Sequence, residues 1–184
     1  MLALACALGL RSGEVRRLQI RDLDLQRGTL FVRETKFHKS RLVAFGPKLN
    51  QFLQKYLALR RSIFSPLRDA DPLFVTQWRA PVGVIFLTAT FRKIVDALGI
   101  TGHPGQSGPR LHDLRHTFAV HRLLRWYREG VDVQSRLPIL STFLGHIRPR
   151  STEVYLTITA ELLREASARF HQNCGHLVDQ EIQP

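Results

Sequence analysis

The apolar positions of this chain fall mostly at helical spacing. Leu49, Phe52, Leu53, Tyr56 and Leu57 recur at i, i+3, i+4, i+7 and i+8, which predicts an amphipathic helix after the break at Gly46-Pro47. Phe91, Ile94, Val95 and Leu98 mark another helix that ends at Gly99. The longest is expected over residues 111–128, with Leu111, Leu114, Phe118, Val120, Leu123, Leu124 and Tyr127 on its apolar face and Gly130 as its stop. Shorter helices are predicted at 14–18, at 136–144 before Gly145, at 152–156, and at 160–170, where Leu162, Leu163, Ala166 and Phe170 share a face. Two segments break this rhythm: 28–34 (GTLFVRE) and 41–45 (RLVAF) read as short strands joined by the basic turn TKFHKS. Residues 69–83 and 100–110 read as loops, the first with a short extended piece at 73–76. The pattern predicts one mainly helical α+β domain over residues 1–184, with one small antiparallel sheet and neither a repeat nor a linker.

The chain opens abruptly. Residues 1–8 read as the buried end of a helix with neither cap nor amphipathic approach, so a segment before them is expected to be missing. The apolar run of residues 1–10 is about half of what a bilayer span needs, and it lacks the flanks of a secretory signal. No membrane partner is expected. Cys6 and Cys174 form no disulfide framework or paired metal motif, which suits a reducing cytoplasm.

Charge narrows the class of partner. The 27 basic and 15 acidic residues leave a net charge of +12, the footprint of a polyanion binder. The excess is uneven: residues 1–99 carry 17 basic and 7 acidic groups, residues 100–184 carry 10 and 8. Only 5 of the 27 are lysines, and arginine is the residue suited to a bidentate grip on phosphate.

Four segments hold candidate chemistry: GLRSGEV from Gly9, TKFHKSR from Thr35, LHDLRHT from Leu111, and LGH at 144–146, nine residues before Tyr155. Singly, each has a plain structural reading: a solvated Arg11, lysines in a hairpin turn, His146 capping a helix end, Tyr155 in a core. His112 and Arg115 are harder to dismiss. At i and i+3 near a helix start they share a face, where free N–H groups and the helix dipole favour an anion. With Arg11 and a turn lysine, up to four donors would surround one phosphoryl group.

In order and spacing these segments resemble the tyrosine recombinases, or phage-type integrases. Arg11 and Glu14 in GLRSGE resemble the first catalytic arginine and its supporting acidic residue. Lys36 looks like the hairpin-turn lysine, with Lys39 close enough to leave that assignment open. His112 and Arg115 resemble the second box, His146 the following His/Trp position, and Tyr155 the nucleophile. The resemblance spans residues 9–170. It lacks the separate DNA-binding domain that family members carry before the catalytic domain, and also the catalytic domain's own first helix.

The resemblance implies a mainly helical catalytic domain that cleaves and rejoins DNA without metal, nucleotide or other cofactor. Tyr155 would attack a backbone phosphate to leave a 3′-phosphotyrosyl link and a free 5′-hydroxyl. A free tyrosine has a pKa of about 10, so its proton must be taken up, with His112 as acceptor. Arg11 and Arg115 would hold the nonbridging oxygens, His146 would hydrogen-bond the phosphate, and the lysine would protonate the leaving oxygen. Arg16, Arg17, Arg33, Lys39, Arg41, Arg110 and Arg148 would grip flanking phosphates. Double-stranded DNA is the implied partner, with a homotetramer on DNA once the missing part is present, in the cytoplasm at the nucleoid. His116 is read as structural. A zinc site from His112 and His116 lacks the intervening glutamate of H-E-x-x-H and has an arginine against the cation, so no metal is expected. The rival reading is a truncated recombinase relic that binds DNA without cutting it.

Overall fold

The computed structural model describes residues 1–33, 40–100, 108–146, 152, 154–157 and 164. Lys36, Lys39, Arg148 and the helix expected at 160–170, apart from Arg164, lie outside the described residues. The residues group into two compact units, Met1–Arg115 and His116–Pro184. Among the described residues no helix is long and apolar enough to cross a membrane.

The first unit opens with α1 (Leu2–Leu8), which buries Leu4, Ala5 and Leu8. Gly9, at φ 61°, ends it in the left-handed region that a side chain would strain. The chain thereby turns at once into α2 (Ser12–Arg17). A single 3-10 turn (Ile20–Asp22) then leads into the sheet. β1 (Leu23–Asp24), β2 (Thr29–Val32) and β3 (Arg41–Ala44) pair antiparallel in that order, with Leu30 opposite Val43 and Val32 opposite Arg41. Leu30, Val32 and Val43 are fully buried while Phe31 and Leu42 face outward, the period-2 alternation of a sheet with one covered face. β1 adds a strand to the two expected from the pattern, since two residues carry no periodicity. What makes it is the turn: Asp24 Oδ1 accepts the N–H groups of Gln26 and Arg27 at 3.0 and 2.9 Å.

Pro47 opens α3 (Pro47–Ile63) rather than merely breaking the pattern; at the first helical position its missing N–H costs nothing. Leu53 and Leu57 bury its inner face. α4 (Val84–Ala97) begins two turns before the helix expected from Phe91. Its first turns lack a helical signature because Val84, Ile85 and Phe86 are exposed and break the amphipathic rhythm; Leu87, Phe91 and Val95 form the buried stripe.

α5 (Asp113–Arg128) starts two residues later than its apolar pattern suggests, so His112 immediately precedes the helix. The division between the units falls within α5. In the second unit, Phe118, Ala119, Val120, Leu123 and Leu124 of α5 pack with Val133, Leu137, Leu140 and Leu144 of α6 (Val133–Leu144) and with Tyr155. Phe118 stacks on Phe143 with ring centroids 5.6 Å apart. α6 begins one turn before the expected residue 136 because Asp132 caps it, accepting the Gln134 N–H at 3.0 Å. Asp132→Ala is expected to cost about 1 kcal/mol, read from the midpoint of a urea melt at unchanged slope. Where a helix is expected at 152–156, Thr152 is α-helical and Val154–Thr157 form a 3-10 turn.

Candidate active site

In the first unit the site grows from the α1–α2 corner. Arg11 stands at the N-cap of α2 in extended conformation, and its carbonyl accepts the Val15 N–H at 3.0 Å. Glu14, one turn on, folds back: Oε2 accepts the Arg11 backbone N–H at 2.9 Å and Oε1 accepts Arg11 Nη1 at 2.9 Å. The spacing of R-x-x-E thus lets one carboxylate cap the Arg11 backbone N–H and pair with its guanidinium together. Arg41, the first residue of β3, reaches the same carboxylate, with Nη1 on Oε1 at 3.1 Å and Nη2 on Oε2 at 2.9 Å.

Burial pushes the Glu14 carboxyl up. The hydrogen bonds and charge of Arg41, joined by the hydrogen bonds of Arg11, outweigh it and hold the group below the usual carboxylate value. A carboxylate depressed in the folded state stabilises the fold above its unfolded pKa, and that contribution is lost as the pH falls through the folded value. The melting temperature is therefore expected to drop steadily on acidification, and Glu14→Gln to flatten that acid limb.

Among the described residues Arg115 is the largest of the fully buried side chains, with 2% of its surface exposed. Its Nη1 donates to the Gly9 carbonyl at 2.8 Å, and its backbone N–H donates to the His112 carbonyl at 3.0 Å. Both catalytic arginines proposed from the sequence are thus tied to the loop that Gly9 turns. His112 is exposed.

Several arginines expected to grip flanking phosphates have protein partners. Arg17 is exposed. Arg110 is exposed and pairs with Asp113 at 3.3 Å, a surface contact of small energetic weight. Arg33 pairs with the buried Asp22 while staying 42% exposed. Arg16 donates through Nε to the Val82 carbonyl at 2.9 Å. Arg41 requires a correction. Its side chain is only 9% exposed and is bound at both ends by Glu14, because it shares the inward face of β3 with Val43. It is not a surface phosphate grip.

In the second unit Tyr155 is 3% exposed. The His146 ring lies nearly parallel to it at 6.1 Å between centroids, and the His116 ring meets it edge-on at 5.4 Å. His146 is itself oriented by Thr152, whose Oγ1 lies 2.8 Å from Nδ1; Thr152 is fully buried. Sequence reasoning misses Thr152, and no spacing rule marks it. His116, read from the sequence as structural, lies against the tyrosine ring.

The description "Phage integrase family" belongs to the family model that matches residues 1–161. The chain is 38% identical over 172 residues to y4rB of Sinorhizobium fredii, named an integrase/recombinase, covering 94% of this chain and 55% of that protein. It is 32% identical over 164 residues to tyrosine recombinase XerC 2 of Ralstonia nicotianae, covering 89% of this chain and 43% of the relative. The chain therefore spans about half the length of these relatives. The crystal structure of XerA recombinase superposes with a TM-score of 0.72 at 29% identity, covering 94% of this chain and 56% of that one. Mostly helical architecture and a three-stranded antiparallel sheet among the described residues, with similarity over 94% of the chain, agree: the chain belongs to the phage integrase family.

Proposed function

We propose that residues 1–184 act as the catalytic domain of a site-specific recombinase that cleaves and rejoins double-stranded DNA through a covalent phosphotyrosyl intermediate. The observation that carries this reading is Tyr155, a buried phenol flanked by His146 and His116 in a chain of this family.

Phosphoryl transfer asks a protein mainly for positioning and for stabilisation of charge on the nonbridging oxygens. Arg11 and Arg115 are planar, permanently charged forks, and each is held by a fixed partner, Glu14 and the Gly9 carbonyl. Such preorganised donors lose nothing to reorganisation when the charge develops. Tyr155 Oη forms the new P–O bond while the bond to the 5′-oxygen breaks. The phenolic proton passes to His112, and the leaving oxygen takes one from Lys36 or Lys39. His146, oriented by Thr152, donates to the phosphate. A 5′-hydroxyl from a partner strand then attacks the phosphotyrosine and releases Tyr155, so the phosphodiester energy is conserved. The exposed Arg17, Arg33 and Arg110, with Arg16, Lys39 and Arg148, grip flanking phosphates, and the working form is a homotetramer on DNA at the nucleoid.

The test is covalent trapping on nicked DNA carrying candidate sites from the sequence flanking the gene, with any upstream reading frame supplied in trans. A protease-sensitive adduct given by the wild type and lost in Tyr155→Phe is the expected result. Salt-sensitive DNA binding with no adduct would overturn the catalytic reading.

A further inference from the structure

We propose that Arg41 is a positioning residue for strand cleavage: from the start of β3 it saturates the Glu14 carboxylate, and so fixes Arg11. This rests on the recombinase reading above.

The hydrogen bonds fill the carboxylate. Oε1 accepts Arg11 Nη1 and Arg41 Nη1, and Oε2 accepts the Arg11 backbone N–H and Arg41 Nη2. An ionised carboxylate has about four acceptor sites, and four donors occupy them. Its plane is thereby set by Arg41, whose two-pronged contact allows one orientation. That plane in turn places Oε1 where Arg11 Nη1 must sit.

Exposure separates the roles: the side chain of Glu14 is 2% exposed and that of Arg41 9%, while Arg11 is 28% exposed. Arg41 satisfies the buried carboxylate from the protein side, and the carboxylate in turn holds the more exposed Arg11. A guanidinium is the group that can do this, because a lysine has no fork to span both oxygens.

The experiment compares Arg41→Met, Arg41→Lys, Glu14→Gln and the double variant Arg41→Met/Glu14→Gln. Single-turnover cleavage of nicked DNA at saturating protein, the Kd for the same DNA, and the 15N signal of the Arg11 guanidinium are measured on each. A misplaced catalytic group costs about 10²-fold in rate, so Arg41→Met should lower the cleavage rate by that order. It should change Kd by less than about threefold, since the side chain does not grip DNA. Arg41→Lys should recover only part of the rate, and it serves as the variant to judge if Arg41→Met does not melt cooperatively. On the Glu14→Gln background, adding Arg41→Met should have little further effect, because the role passes through Glu14. The Arg11 Nη1–H signal should be resolved from the other Nη signals in the wild type, because that nitrogen is held on Glu14, and averaged with them in Arg41→Met.

A folded Arg41→Met chain that cleaves at the wild-type rate overturns the proposal. So does an effect of equal size with and without Glu14, or a loss confined to Kd. Should the wild type form no adduct, the recombinase reading fails by itself. The Arg11 signal then decides the positioning claim independently, and an unchanged signal in Arg41→Met refutes it.

Discussion

Tyr155→Phe is expected to abolish the covalent DNA adduct, by at least about 10³-fold, as loss of a nucleophile does, while leaving the fold intact. The structure makes this substitution unusually clean. Tyr155 is 3% exposed and belongs to the packed cluster of α5 and α6, so its ring is part of the second unit's core. Phenylalanine keeps that ring between His116 and His146 and removes one oxygen, and stability should change by no more than about 1.5 kcal/mol. Tyr155→Ala would instead open a cavity costing about 3–5 kcal/mol and would confuse misfolding with lost chemistry. The measurement is therefore a pair: adduct yield on nicked DNA and a thermal melt of the same preparation. Persistent adduct in a well-folded Tyr155→Phe chain would mean that another group is the nucleophile.

Arg115 should show two separable losses. Its guanidinium is buried and donates to the Gly9 carbonyl at 2.8 Å. Arg115→Ala therefore strands a polar group inside the first unit, at a cost of about 1–3 kcal/mol. On the proposed mechanism it also removes a preorganised donor from the developing charge, which commonly costs about 10²–10³ in rate. Arg115→Lys separates the two: an ammonium can restore one hydrogen bond, but not a planar fork that binds carbonyl and phosphate together. The lysine variant should melt nearer the wild type and still cleave slowly at saturating DNA. If lysine restored rate and stability alike, the planar geometry of Arg115 would be irrelevant and only its charge would matter.

How much of the fold and the site is legible in the sequence depends on how local the cause is. Helices α3, α5 and α6 announce themselves through periodicity and through Gly130 and Gly145. The first turns of α4 do not, because an exposed Val84-Ile85-Phe86 run resembles no amphipathic template. β1 exists through the side chain of Asp24, which is turn chemistry rather than pattern. Arg41 carries a signal that charge composition overrides. In RLVAF the period of two puts Arg41 on the same face as the buried Val43, and an arginine on a core-facing position needs a buried acid. Glu14, 27 positions earlier, is that acid. Composition points to phosphate instead, because it does not know which face a residue occupies.

The sequence by itself determined the family and the helical class, and it supplied the candidate reactive groups. Those rest on residue types at fixed local spacings, such as R-x-x-E closing one helical turn or H-x-x-R around a helix start. Tertiary structure alone decided which groups are held and by what: Arg11 by Glu14, Glu14 by Arg41, Arg115 by a backbone carbonyl, His146 by Thr152. The physical reason is range. Hydrophobic periodicity and capping act over a turn or two of chain, whereas a buried charge is satisfied by whatever partner the packing of distant segments brings within about 3 Å; for Arg115 that partner lies 106 residues away.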